Sequence, residues 1–364
     1  MSERKKLDIN PNEDSSPKFI PGIDALYFYV KVDYDNYITF YNNILLKGVL
    51  ENDENLNLIS YDYSKQWTFF TYNINIESEG LCPDIRPIFK IGFKNLNTKD
   101  NLDSILIQLD SSMMNLLGYK KAVDISLSYL REITLEPITT KVSRVDLNTY
   151  CKGYNFETLT PELFATKARK SGTIQPISNN GVLETFYMGA RSSDSVFMRI
   201  YNKSKELAAL SSTNYSSSIF KSLLIESKFK AKYGEKTSIN DNLWNVEFEV
   251  KRGTLRRYKI HTLYDLFENI DSLHNDIVTG TYRMLKRTKD EINNSRIETA
   301  DIWKGITDNF KIFHKPTIID KEKLKVYKKD TQWLKNRMIE FIEEPKNIDS
   351  PMLEDIKALL SKYS

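Results

Sequence analysis

Residues 196–202, Val-Phe-Met-Arg-Ile-Tyr-Asn, decide how this chain is read. Side chains two apart on a strand share a face. Arg199 and Tyr201 therefore project together, with Lys203 continuing their side, while Met198 and Ile200 project to the other. One face suits a core; the other sets a phenol between two cations. Such a face is ordinarily the solvated side of an antiparallel sheet. The alternative is chemical. A free phenol, with a pKa of about 10, is a weak nucleophile at neutral pH. Flanking cations favour the phenolate and would also hold an anionic substrate such as a phosphate.

Two more stretches alternate in the same way. In residues 143–149, "SRVDLNT", the set Arg144, Asp146 and Asn148 opposes Val145, Leu147 and Thr149. In residues 245–251, "NVEFEVK", the set Glu247, Glu249 and Lys251 opposes Val246, Phe248 and Val250. Each strand alone reads as an ordinary amphipathic strand. Adjacent antiparallel strands, however, bring such faces side by side. Three carboxylates around one cation are hard-metal chemistry, and that cation would polarise a phosphodiester. A tyrosine beside it would attack phosphorus and stay joined to the nucleic acid.

Composition narrows the field. With 364 residues, 40% of them hydrophobic, the chain can bury a substantial core. Its 52 Lys and Arg nearly balance 49 Asp and Glu, so a nucleic-acid surface must come from local clustering. Two basic runs qualify, "KRGTLRRYKIH" at 251–261 and "DKEKLKVYKKD" at 320–330. Such runs are ordinarily solvated faces, but beside a site that attacks a phosphodiester they suit nucleic-acid phosphates. Cys82 and Cys151 supply neither a disulfide framework nor a thiolate zinc site, which fits a reducing compartment. His261, His274 and His314 lack metal-ligand spacing, so a metal centre must rest on carboxylates and favour Mg²⁺ or Mn²⁺. No glycine-rich phosphate loop supports an ATPase or a Rossmann enzyme. An apolar leader and a bilayer-length apolar stretch are both missing from the sequence, which predicts a soluble, cytoplasmic protein with no membrane partner.

The pattern predicts an α+β fold of antiparallel sheets with covering helices. Residues 1–20 read as a disordered tail. Strands are expected at 23–32, 66–75, 87–94, 142–151, 183–188, 197–202 and 244–252, and helices at 36–46, 101–118 and from 160. Strand, helix, strand, strand, helix thus occurs about twice, as in a duplicated unit. Beyond residue 254 the pattern is helical, with stretches near 298–306, 321–343 and 350–362. The expected division is a catalytic domain over 21–290 and a helical C-terminal region over 291–364, for DNA binding or dimerisation.

The block "TFYMGARSSDSVFMRIYNKSKEL", preceded by "SRVDLNTY" and followed by "VEFEVKR", resembles the Rep_trans-type initiators of rolling-circle plasmid replication and the related relaxases of integrative conjugative elements. The resemblance spans residues 23–267 and is most specific over 143–252. It implies a metal-dependent nicking and joining enzyme, with Tyr201 as nucleophile, flanked by Arg199 and Lys203, and Asp146, Glu247 and Glu249 as ligands for Mg²⁺ or Mn²⁺. Tyr201 would keep the 5′ phosphate and leave a 3′ hydroxyl to prime synthesis. Arg191, Arg144, Lys251 and Arg252 are the expected DNA contacts. Ala190 stands where the family often has serine, and Tyr187 is a rival nucleophile. The implied partners are origin DNA, as a single-stranded or cruciform nick site with flanking duplex, a second copy of the chain, and a host replicative-type helicase. A conjugative relaxase and a noncatalytic DNA-binding regulator are the alternatives.

Overall fold

The long strands are set by period-two alternation. From Leu26 onward β1 (Lys18–Val32) buries Leu26, Phe28 and Val30 completely while Tyr27 and Tyr29 on the other face stay partly exposed. In the computed structural model, residues 16–52, 56–62, 67–73, 88–96, 105–167, 175–179, 182–213, 215–234, 242–287 and 293–312 are described. They belong to one unit, Met1–Thr317. The strand begins inside the stretch read as a tail because Phe19 and Ile20 are already buried. The helices expected at 321–343 and 350–362, and the basic run at 320–330, lie outside the described residues.

A ten-stranded antiparallel sheet organises the chain, confirming the α+β reading. Its first half holds β1, β2 (Leu56–Asp62), β3 (Trp67–Asn73), β4 (Ile88–Lys94) and β5 (Ile105–Asp110). Its second half holds β6 (Pro137–Lys152), β8 (Gln175–Asn179), β9 (Val182–Met188), β10 (Val196–Asn202) and β11 (Leu243–Lys251). The order is β2-β3-β4-β5-β1-β6-β11-β10-β9-β8. In each half the first strand lies beside the last, and the other strands follow as a meander. The halves thus share one strand order and are joined through the long β1–β6 pair; the twofold recurrence expected from the sequence holds for the strands but not for its helix at 160.

One face of the sheet is apolar and covered by helices. Over the first half, α1 (Tyr34–Phe40) sets Phe40 on Phe93 at 5.0 Å, and α3 (Tyr119–Glu132) sets Tyr129 on Tyr72 at 4.3 Å. Over the second half, α7 (Leu263–Asp276) and α8 (Asp301–Asn309) set His274 and Trp303 against Phe248 at 5.7 and 6.2 Å. Trp303 Nε1 donates to the carbonyls of Val278 and Tyr282 at 3.0 and 2.8 Å, so its polar edge is satisfied within the core. A two-stranded ribbon of β7 (Phe164–Thr166) and β12 (Tyr282–Met284) completes that layer. Among the described residues, the opposite face is covered at one end, where Leu207, Ile225 and Phe229 of α4 (Lys203–Thr213) and α5 (Tyr215–Tyr233) pack on Ile20, Tyr150 and Leu243. Among the described residues no helix is long and apolar enough to cross a membrane.

Two local expectations are overturned. Residues 101–118 were expected to be helical, but 105–110 form β5, because Ile105, Ile107 and Leu109 alternate into the core against Phe28 and Ile91. The helix starts only at α2 (Ser111–Leu117), where the side chain of Asp110 accepts from the Met113 amide at 3.0 Å. The helix expected from Thr160 is a single 3₁₀ turn, Pro161–Leu163, because Phe164 is drawn into a stack on Phe186 and against Trp303.

Gly189, at the β9–β10 turn, has φ +99°, and a Cβ there would lie 2.1 Å from Tyr282 Oη and 2.6 Å from the Val196 carbonyl oxygen. That hydroxyl is itself fixed, donating to Val196 O at 2.6 Å. Gly118, between α2 and α3, also has positive φ, +80°, but nothing within 4 Å of a built Cβ. Gly189→Ala should therefore destabilise the protein well beyond the cost, about 1–3 kcal/mol, of the backbone conformation alone, and Gly118→Ala by that cost only. Urea unfolding midpoints would decide, and equal losses would contradict the steric account.

Candidate active site

Cross-strand register assembles the site on β6, β11, β10 and β9. Glu247 lies opposite Asn148 on β6 and Arg199 on β10. Glu249 lies opposite Asp146, and Asn245 lies opposite Tyr150 and Tyr201. Residues as far apart in sequence as Asp146 and Glu249 thus become neighbours on one face, while Leu147, Val246, Phe248, Met198 and Ile200 fill the other.

Charges on this face are layered. Asp146, Glu247 and Glu249 are 1%, 0% and 4% exposed, whereas the side chains of Arg144 and Arg199 are 24% and 25% exposed. The carboxylates are a floor and the guanidiniums a lid facing solvent. Arg144 holds Asp146 with two bonds of 2.8 and 2.5 Å and reaches Glu249 at 3.0 Å. Arg199 donates to Glu247 Oε1 and lies 3.9 Å from Asp146. Lys251 pairs with Glu249 at 3.0 Å and donates to the Arg191 carbonyl at 3.2 Å. Burial raises the proton affinity of Asp146 against the pull of Arg144. Glu247 is also raised, first by burial and then by the charge of Asp24, with Arg199 opposing. Its Oε2 is buried without a hydrogen-bond partner.

Tyr201 sits at the covered end of the layer. Asn148 Nδ2 donates to Asn245 Oδ1 at 3.1 Å, and Asn245 Nδ2 donates to Tyr201 Oη at 2.9 Å. Lys203 Nζ is 5.5 Å from the ring centroid but donates to Glu206 at 2.7 Å. The two cations expected to favour the phenolate are thus engaged by Glu247 and Glu206. Burial pushes the phenol well above its ordinary value, and Asp24, Glu247 and Glu206 add to it. The flanking cations therefore do not favour the phenolate, contrary to the expectation from the sequence. Tyr187, opposite Arg199 on β9, is half-buried and stacks on Phe197 at 5.6 Å.

The structure gathers Arg144, Asp146, Arg199, Tyr201, Lys203, Glu247, Glu249 and Lys251 around one face. Arg191 lies at its margin, exposed, with its guanidinium 4.6 Å from the Phe197 ring centroid. Arg252 is occupied differently. Its guanidinium donates to the carbonyls of Val142, Ile260 and His261 at 3.1–3.3 Å, clamping α6 (Arg252–Arg257) to β6. Sequence reasoning missed Asp24, which sits at a bulge of β1 and accepts from Tyr150 Oη at 3.5 Å. The available signal was a lone acid within the apolar run 23–32.

The carboxylates are hard oxygen donors, and the unpartnered Glu247 Oε2 suits a hard cation. The guanidiniums bonded to them oppose that use, and among the described residues no three acidic, His or Cys side chains converge as a metal-binding group.

No family model matches the chain, and no match to a curated protein is found. Among solved structures it is similar to a rolling circle replication initiator protein from Geobacillus stearothermophilus, with 10% sequence identity and a TM-score of 0.41 over 83% of this chain and 100% of that one.

Glu247 gives the layer a pH signature. Its folded-state value, pushed up to about 8, means that the folded protein binds more protons than the unfolded chain from the ordinary carboxylate range up to that pH. Stability from this group is therefore present at low pH and lost as pH rises through the window. Glu247→Gln does not titrate, so its melting temperature should gain on wild type steadily between about pH 5 and 8. A difference that stays flat across that range would contradict the assignment.

Proposed function

We propose that this protein nicks and rejoins one strand of DNA through a phosphotyrosine intermediate, as an initiator of rolling-circle replication. The observation carrying the reading is that the three motif stretches, scattered between residues 143 and 252, are neighbouring strands whose charged side chains share one face. As a mere solvated surface this face would leave its carboxylates in water; instead they are buried beneath arginines.

The chemistry follows from that layering. Arg144 and Arg199, oriented by Asp146, Glu249 and Glu247, take the non-bridging oxygens of the scissile phosphate. Tyr201 Oη attacks phosphorus, the bond to the 3′ oxygen breaks, and the 5′ phosphate stays on the tyrosine. Glu247 in its ionised form receives the phenolic proton, which its raised proton affinity favours, and the departing 3′ oxygen takes a proton from water. Rejoining is the same step reversed. Were a Mg²⁺ or Mn²⁺ ion used, Asp146, Glu247 and Glu249 are the residues that would hold it, and it would add charge stabilisation. The nicking module is wider than the 21–290 expected from the sequence, since β1 starts at Lys18 and Trp303 of α8 packs on Phe248; it acts on origin DNA as a homodimer, and a host helicase unwinds the duplex behind the nick. A conjugative relaxase would use the same step on a transfer origin.

One observation favours a second nucleophile. Tyr187 faces the same Arg199 from β9 and lies outside the Asn245 hydrogen-bond chain that ties Tyr201.

Labelled single-stranded origin oligonucleotides with Mn²⁺, run on a denaturing gel, test the proposal. Wild type should give a covalent adduct. Tyr201→Phe should lose it by about 100-fold or more, the scale of one essential catalytic group, with origin binding unchanged. If that variant forms the adduct and Tyr187→Phe does not, the nucleophile is Tyr187. Binding without adduct in wild type would leave only the regulator. Chelation with EDTA should abolish cleavage, and full activity in its presence would remove the metal from the mechanism.

A further inference from the structure

The first half-sheet has the same topology as the second but offers its open face differently. Tyr27, Tyr29, Trp67 and Phe69 are all partly exposed, while Phe28, Phe70, Ile91 and Ile107 beneath them are at most 1% exposed. Three of these rings lie in succession. Tyr29 and Trp67 are 6.1 Å apart between centroids, and Trp67 and Phe69 are stacked at 6.1 Å and 27°. Gly92 makes this possible: a Cβ there would lie 2.5 Å from Phe69, so the missing side chain lets the ring lie flat across β4.

Cations border the rings. The Arg144 guanidinium is 5.0 Å from the Tyr27 centroid, and Lys141 Nζ is 5.9 Å from that of Tyr29. Lys90 and Lys94 belong to the same face by register, opposite Thr71 and Trp67. An open cleft of about 440 Å³, lined by Tyr27, Tyr29, Lys141, Arg144 and Lys251 among others, joins this surface to the charged layer. Arg144 belongs to both.

We infer that the open face of the first half-sheet is a stacking platform for single-stranded nucleic acid, leading the strand through Arg144 into the charged layer. Aromatic rings accept the faces of unpaired bases of any sequence, and the bordering cations follow the backbone. A duplex hides its base faces, and an acidic peptide would use the cations but leave four rings without a purpose. The inference rests on the nicking reading for where the strand leads; binding itself is measured without cleavage, so either can fail alone.

The test is fluorescence anisotropy with labelled oligothymidylate of about 20 nucleotides in EDTA, beside a duplex of equal length. Tyr29→Ala and Trp67→Ala should each weaken single-strand binding about 5- to 100-fold, the range for one lost stacking contact. Tyr29→Phe should bind like wild type, because the ring and not the hydroxyl is used. Duplex affinity should change less than twofold. Trp67 fluorescence should be quenched by the strand, and that component should vanish in Trp67→Phe while affinity is kept. Unchanged single-strand affinity in both alanine variants overturns the platform, as does an equal loss for duplex. If the alanine variants lose affinity but wild type forms no adduct with origin DNA, the platform stands and the nicking reading falls.

Discussion

Three buried carboxylates under two arginines constrain the rest of this structure. Taking ions out of water costs several kcal/mol each, and well-packed apolar side chains in their place are often neutral or stabilising. Asp146, Glu247 and Glu249 are nonetheless almost fully buried and are paired with Arg144, Arg199 and, for Glu249, also Lys251. Removing either arginine would strand a buried charge, so the layer stands or falls as a unit. An arrangement so expensive in a sheet that otherwise alternates cleanly is what a reactive site requires: charge fixed in advance, in a place water does not fully reach.

The sheet supplies that place by repetition. Each half sets its first strand beside its last, so β6 lies next to β11, and β10 follows. The second half thereby brings Asp146, Glu249 and Arg199 within reach although the chain separates them widely. The helices α4 and α5 then cover the end nearest Tyr201, raising its pKa, and leave the arginine end open. The first half repeats the pattern with aromatic rings where the second has charges.

Much of this was legible in the sequence, for a physical reason. Where one face is apolar and the other charged, a shift of one residue would turn every charge into the apolar, helix-covered side of the sheet, away from its partners, so alternation in 143–149, 196–202 and 245–251 specifies both strand and face. Adjacency of the three strands was also expected, and the register bears it out. Consequences of packing were not legible. Tyr201 was expected to be activated by Arg199 and Lys203, but Glu247 and Glu206 claim those cations, and no local pattern encodes such long-range pairings. Residues 105–110 looked helical because a short apolar run is ambiguous in period, and only its place between β4 and β1 makes it a strand. Phe164 shows the same competition, its burial in the core outweighing good helix-start signals at Thr160 and Pro161.

The claim that the layer is kept for chemistry and not for stability can be tested by replacing one of its ion pairs with apolar side chains of similar size. In Arg199→Met combined with Glu247→Leu, no charge of that pair is left stranded. The account predicts a melting temperature at or above that of wild type together with loss of the covalent DNA adduct. A clearly lower melting temperature with adduct formation intact would contradict it.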